Sequence, residues 1–501
     1  MGRLLRQGMI FIHRWLGVGL CLLFLLWFPS GVVMMYWDFP SVTPADRLAR
    51  SAALDPSTIL LSPTDAAAKA GLETPEQVRL NTFDGRPAYR FRSEHDETIV
   101  YADTGDEQIE ISKEMVDRIA SAWTGQPVFV ARTKVLEDVD QWIVQTRLRD
   151  VKPVWKYSWP DGQEVYVSQA SGDVLQYTTT ASRWAAYFGA IPHWLYFTLL
   201  RKHGPQWSQV VIWTSGIGTV TAALGLVIGV WAYSPSKRYR YSGKARSNPY
   251  RGQKRWHATF GLIFGVGAVT WAFSGMLSMD PFPVRRTGAS EESGPQPRAA
   301  GIPEALRGRP RLADFAAKSP RAVLAQIPEL DVKELELVDV AGEPAYVATL
   351  AGGGTREIPV HGLPQSAFGY QQLTEFITKA AHSTGLAEIR VLDQYDRYYL
   401  DRRRKRPLPV ILVQLTDAEQ TRYYIDPKTA SVVGTYSSRN WMSRWIYHGL
   451  HSLDFPWLYG HRPLWDIVVI TFMSGGTALS VTSLILAWRV LGRTLRGSVI
   501  H

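Results

Sequence analysis

Four stretches of roughly twenty mostly apolar residues constrain this chain most, because a helix of that length spans the hydrocarbon core of a bilayer. They run from Phe11 to Met35, Val210 to Tyr233, His257 to Met279 and Ile467 to Trp488. Lipid offers no partner to a free backbone N–H or C=O, and a helix satisfies these groups internally. A fifth apolar stretch, Trp184 to Leu200, is shorter, rich in aromatics and broken by Pro192, and reads as an interfacial helix. The predicted fold is a membrane α-helical bundle of four transmembrane helices, internally duplicated, with two extracytoplasmic α+β domains. Its expected units are a tail and first helix over 1–36, a first external domain over 37–208 with the interfacial helix at 184–200, and a second helix over 209–233. A basic loop over 234–256, a third helix over 257–279, a second external domain over 280–465, a fourth helix over 466–488 and a tail over 489–501 complete it. A cleavable signal peptide is the other reading of the first span, but its apolar run is long for one and no clear A-x-A site follows.

Charge sets the expected orientation, since short cytoplasmic loops collect Lys and Arg. The loop after Tyr233 carries Lys237, Arg238, Arg240, Lys244, Arg246, Arg251, Lys254 and Arg255 without an acid. The N-terminal segment adds Arg3, Arg6 and Arg14, and the C-terminal tail adds Arg489, Arg493 and Arg496. Both termini are therefore expected in the cytoplasm. These segments hold 14 of the 55 basic residues, leaving 41 against 45 acids elsewhere, so the net charge of +10 marks topology and gives no support for nucleic-acid binding.

An offset of 244 residues superposes the first span on the third without a gap. His13 falls on His257, Gly17 on Gly261, Trp27 on Trp271, Ser30 on Ser274, Gly31 on Gly275 and Met35 on Met279. The second and fourth spans match more loosely, through Ser215-Gly216 with Ser474-Gly475. Between the spans, Asp84-Gly85-Arg86-Pro87-Ala88-Tyr89 echoes Ala341-Gly342-Glu343-Pro344-Ala345-Tyr346. Alternating apolar residues bounded by turn formers read as strands, while Pro63 to Ala70 and Leu373 to Ala381 read as helices. Arg285 to Arg311, rich in Gly, Pro and charge, reads as a linker.

The segments Phe11-Ile12-His13-Arg14-Trp15-Leu16-Gly17 and Arg255-Trp256-His257-Ala258-Thr259-Phe260-Gly261 resemble the PepSY-associated transmembrane family, as do Tyr447 to Phe455 and Arg462 to Asp466. The resemblance covers nearly the whole chain and is weakest between Arg285 and Leu330. It implies PepSY-like external domains and a bacterial inner-membrane location. It also implies a link to iron acquisition, because characterised relatives include haem proteins that reduce ferric siderophores.

The depth of the histidines sharpens this expectation, since a ligand-capable residue in a span is a functional hypothesis by default. His13 and His257 occupy matching positions at the cytoplasmic ends of two spans running in the same direction. Two such imidazoles suit both axial positions of one haem b, and Gly17 and Gly261, one turn on, leave room for a flat macrocycle. The alternative is a pair of interfacial histidines solvated by headgroups. On the outer side, His193 precedes the second span and His448 and His451 precede the fourth. His193 and His451 are the expected second pair, with His448 as the alternative ligand. Aligning Arg183-Trp184 with Arg444-Trp445 places no histidine of one half on one of the other. Trp15, Trp27, Trp256 and Trp271 read either as macrocycle neighbours or as interface anchors.

Two haems near opposite faces would relay electrons across roughly 30 Å of hydrocarbon. Bis-histidine ligation closes both axial positions, so such a haem passes electrons without binding substrate. The absence of C-x-x-C-H excludes covalent c-type attachment, and no P-loop, H-E-x-x-H or Rossmann fingerprint is present. No catalytic side chain is assigned. Electrons would come from a quinol or a cytoplasmic reductase and pass to a ferric siderophore or other ferric chelate. Arg402, Arg403, Arg404 and Arg406 are either a docking patch for that anionic chelate or a solvated strand edge. The competing reading is a membrane-anchored binding or inhibitory module acting on a peptidase or sensor. A metal transporter is less well supported, since acids are missing from the spans apart from Asp466 at a span end.

Overall fold

The computed structural model describes residues 2–93, 96–145, 152–242, 244–281 and 302–498. Four of its helices, Gly2–Met34, Gly204–Ala232, Gly252–Leu277 and Leu464–Ser498, are long and apolar enough to cross a membrane. Each begins before its apolar run, because the flanking polar residues continue the helix. They form a closed ring in which the first packs on the second and fourth, and the third on the same two. The first and third helices therefore face each other diagonally across the bundle. All strand-rich structure except one hairpin lies between the first and second helices or between the third and fourth, so one end of the bundle is the strand end and the other the basic end.

The first half supplies β1 (Gln77–Phe83), β2 (Arg86–Arg92) and β3 (Glu97–Tyr101), then a helix at Lys113–Thr124. Next come β4 (Arg132–Leu136), β5 (Val154–Ser158), β6 (Glu164–Ser168) and β7 (Val174–Thr178). The basic loop is not featureless: β8 (Tyr239–Tyr241) and β9 (Lys244–Arg246) pair in it. Of the expected linker, the part through residue 301 lies outside the described residues. Its remainder forms a short helix, Ile302–Leu306, and β10 (Arg307–Gly308). The second half then repeats the order, with β11 (Val332–Val340), β12 (Glu343–Leu350), β13 (Thr355–Pro359) and a helix at Tyr370–Ala380. It ends with β14 (Leu386–Leu392), β15 (Val410–Leu415), β16 (Arg422–Asp426) and β17 (Ser431–Tyr436).

The two hairpin turns that echo each other in sequence share one backbone solution. Asp84 and Gly85 have φ of 48° and 79°, and Ala341 and Gly342 have 57° and 85°. Positive φ at both central residues is the turn whose twist matches that of the paired strands. Two separate sheets, β4–β7 and β14–β17, follow as antiparallel meanders.

The two external regions, expected as two α+β domains, are joined in the sheet order β13-β12-β11-β1-β2-β3, with β10 beside β11. The halves share one sheet. β1 pairs antiparallel with β11, placing Val78 opposite Leu337 and Leu80 opposite Leu335. One core draws Val78, Leu80, Tyr89 and Phe91 from the first half and Leu335, Leu337, Tyr346 and Ile358 from the second. Across the seam Asn81 donates to the buried Glu334 carboxylate at 2.9 Å and Gln77 donates to Glu336, which also pairs with Arg307 of its own half. Joining the sheets leaves neither β1 nor β11 as an open edge.

The expected single interfacial helix at 184–200 is corrected. Three short helices stand there, Thr180–Phe188, Ala190–Trp194 and Thr198–Arg201. Gly189 leaves helical geometry at φ −110° and ψ −98°, and Leu195 closes the second helix in the left-handed region. The matching stretch of the second half is a π-helix, Met442–Gly449, a short turn at Leu450–Ser452 and a helix at Pro456–Tyr459.

Candidate functional site

Four imidazoles meet in two pairs. His13 and His257 face each other near the basic end, with ring centres 6.1 Å apart and planes inclined by 40°. His193 and His451 face each other near the strand end, at 5.9 Å and 69°. His448 is exposed; its ring lies against Tyr447, which also packs on His451 at 5.4 Å. His461 bonds the Trp457 carbonyl at 2.6 Å, and His203 caps the second long helix without a side-chain bond.

In each pair one ring nitrogen is occupied and the other is left over. A carbonyl oxygen only accepts, so Nδ1 of His13 donates to Thr221 at 2.9 Å. Nδ1 of His257 lies 3.4 Å from the Thr482 hydroxyl and 3.3 Å from that of Ser483. At the outer pair the two halves use the same device. Nδ1 of His193 is 3.1 Å from the Ser30 hydroxyl and 3.2 Å from the Trp27 carbonyl. Nδ1 of His451 is 3.1 Å from the Ser274 hydroxyl, and the Trp271 carbonyl serves the same ring. Fixing Nδ1 in this way fixes the tautomer and frees Nε2, the arrangement that orients a metal-binding imidazole. Burial pushes His193 down to about 4 and His451 down to about 3, so both rings are neutral near pH 7.

The structure also supplies the alignment that the Arg-Trp pairs obscure. At an offset of 258, His193 falls on His451, Leu195 on Leu453 and Trp207 on Trp465. Both leucines are left-handed caps, and the two indoles bond matching carbonyls, Trp207 to Trp194 and Trp465 to Ser452. The Arg-Trp pairs align at 261 instead, because the second half reaches His451 seven residues after Arg444 where the first half takes ten from Arg183 to His193.

Around the inner pair lies a cavity of about 490 Å³, lined by His13, His257, Gly17, Gly261, Cys21, Phe24 and Phe28. A Cβ at Gly17 would meet nothing within 4 Å, and one at Gly261 only Leu479 at 3.9 Å, so both glycines border open space. Arg14, Arg251, Lys254, Arg489 and Arg493 also line the cavity, and their chain positions put them at its basic end. The pairs are separated along the first helix by the rise from His13 to Trp27, about 20 Å at 1.5 Å per residue.

Three of the four arginines in the run have partners within the protein. Asp401 accepts backbone N–H groups from Arg403, Lys405 and Arg406, curling the loop so that Arg404 takes a positive φ of 53°. Arg402 donates to the Met34 carbonyl at the top of the first helix, 3.1 Å away. Arg403 pairs with Asp38 at 2.7 Å, and the Arg406 guanidinium lies over Tyr399. Asp466 pairs with Arg462 at 3.2 Å and accepts from Tyr36.

Sequence reasoning missed the site roles of Ser30, Ser274 and Thr221 and of the five basic residues on the cavity wall. The serines were visible as a repeat match, but a serine in a span usually bonds its own helix. The basic residues were visible only as topology markers. Among the described residues no group of three or more His, Cys, Asp or Glu side chains is placed to hold a metal ion, so each pair offers two ligands and no more.

No curated protein matches the chain. The family model described as the PepSY-associated TM region matches residues 11–372, from the first spanning helix into the second half of the strand end, and the chain belongs to that family.

Proposed function

We propose that this protein is an electron conduit of the bacterial inner membrane, with both termini cytoplasmic. It would hold one haem b between His13 and His257 and another between His193 and His451. Electrons would enter from a quinol or a cytoplasmic reductase and leave to a ferric siderophore or other ferric chelate outside. The observation that carries this reading is the pair of facing imidazoles at each end of the bundle. Two metal–imidazole bonds of about 2 Å each, extended to the ring centres, require a separation of about 6 Å, close to both gaps.

The surroundings fit an amphipathic dianion. The inner cavity is apolar along its length and basic at one end, which suits a flat ring carrying two carboxylates. Arg14, Arg251, Lys254, Arg489 and Arg493 would bind and orient those carboxylates. Gly17 and Gly261 admit the ring face. Thr221, Ser30 and Ser274 hold Nδ1 so that Nε2 points into each gap. Haem iron, when bound, supplies the one-electron chemistry, and the bundle excludes water and spaces the two sites. The matching element order, turns and serine contacts support an origin of the two halves by duplication of a PepSY-like unit.

The test is the absorbance of the detergent-purified protein, oxidised and dithionite-reduced, with a haem count per chain. Sharp six-coordinate b-type bands at two haems per chain are expected. His257→Ala should lose one and His451→Ala the other, each abolishing ferric-chelate reduction. A colourless protein that takes up no added haem would overturn the proposal and favour an anchored binding module.

A further inference from the structure

The two histidine pairs are too far apart to touch, and the space between them is filled by a specific set of rings. Phe24 and Phe28 both line the inner cavity and stack on each other with centres 6.0 Å apart. The ring of Phe28 meets the Trp271 indole edge-to-face at 6.1 Å, and both side chains are buried. Phe28 is seated firmly: a Cβ at Gly476 would lie 2.4 Å from its Cε1. Beyond the indole, the main chain of the same residue reaches the outer pair. The Trp271 carbonyl serves the His451 ring and accepts from the Ser274 hydroxyl at 3.3 Å.

We infer that Phe28 and Trp271 are the electronic bridge between the two sites, a reading that rests on the function proposed above. Trp271 meets Phe28, part of the inner cavity wall, with its ring and holds the outer imidazole with its carbonyl. One residue thus spans the junction through covalent bonds, with a single ring contact left to cross. Electron transfer through bonded and packed atoms decays less steeply than through a gap, so the route through Trp271 is favoured over one through loosely packed aliphatic chains. His13 and His257 would hold the donor haem and His193 and His451 the acceptor, and the haems would supply a one-electron exchange in which the electron lost by the first is gained by the second. Neither ring is oxidised, and no proton moves.

The bridge is not an automatic product of the repeat. The positions that match Phe24 and Phe28 at the 244-residue offset are Ala268 and Ala272, so the third helix has no counterpart of this phenyl pair, and the other ring on Trp271 is Phe472 of the fourth helix at 6.3 Å. The indole Nε1 of Trp271 is buried and has no hydrogen-bond partner among the described residues. An indole kept in an apolar setting at that cost is held there for its ring. Trp271 and Phe28 are positioning residues, since neither ligates a metal.

The experiment uses the full-length, haem-loaded protein in vesicles with its strand end outward, reduced and then mixed rapidly with ferricyanide, which does not cross the bilayer. Reoxidation should show a fast outer phase and a slower inner phase. Trp271→Leu and, separately, Phe28→Leu should slow the inner phase by an order of magnitude or more, while Trp271→Phe restores most of the rate. Haem count, reduced spectrum and midpoint potentials of the Trp271 variants should stay as in the parent. An unchanged inner phase in both leucine variants at two haems per chain would overturn the bridge. A parent protein that binds no haem would instead overturn the proposed function on which it stands.

Discussion

The Ser274 hydroxyl lies 3.1 Å from Nδ1 of His451, and Ser30 makes the same 3.1 Å contact with His193. These serines stand 244 residues apart on diagonal helices and meet histidines 258 residues apart. Each also bonds its own helix backbone, Ser30 to Trp27 at 3.0 Å and Ser274 to Thr270 at 2.7 Å, which aims its oxygen at the ring. Groups behind a metal-binding imidazole commonly contribute about 10- to 100-fold in affinity. Ser274→Ala should therefore weaken haem binding at the outer site by about that range while leaving the inner site filled. Titration of the haem-depleted protein with haem checks this.

Glu357 on β13 gives the strand end a pH dependence. Burial pushes its carboxyl up to about 7, and one of its oxygens has no hydrogen-bond partner among the described residues. The folded state thus keeps a proton that the unfolded chain gives up near the usual carboxylate value of 4.5. Stability is fully present below that value and falls as pH rises towards 7. Glu357→Gln should raise the melting temperature at pH 8, with the gain gone by pH 4.5. A gain of equal size at both pH values would show that the carboxyl does not titrate in this way.

Arg402 links the strand end to the first helix through the Met34 carbonyl. A hydrogen bond from a charged group of this kind is worth about 1.5–3 kcal/mol, somewhat less here because the side chain is partly exposed. Arg402→Ala should lower thermal stability without changing KM for a ferric chelate. A raised KM at unchanged stability would instead return the arginine run to a docking role.

Leu337 is buried at the seam, opposite Val78. Removing such a side chain costs about 2–5 kcal/mol. Because the core is common to both halves, Leu337→Ala should lower hydrogen-exchange protection in β2 as well as in β12. Loss confined to β12 would mean that the halves unfold separately.

The four long helices were legible because twenty apolar residues have few other fates, and the inner pair because His13 and His257 sit in an ungapped repeat. The outer pair was harder. The second half reaches its histidine three residues sooner after the Arg-Trp pair than the first, through a π-helix at 442–449, and nothing in Met442 to Gly449 declares that geometry before the chain is folded. The pairing of β1 with β11 was not legible at all, since a partner 250 residues away leaves no local pattern. The three-piece segment after β7 was missed because aromatic residues around Pro192 look like one amphipathic run, whereas the breaks lie at Gly189 and Leu195.

The shared sheet has a consequence for the gap between the outer imidazoles. Each of His193 and His451 follows its own four-stranded meander; the second meander shares a core with β11 and β12, and Gly172 of the first lies against Phe83 of β1. The seam and the serines of the first and third long helices together set the jaws of a calliper, the two histidines. Their opening is fixed by folding, before anything sits between them. Under the proposed function, a centre clamped at a preset width would change shape little when its charge changes, and a low reorganisation cost is what a station in an electron chain requires.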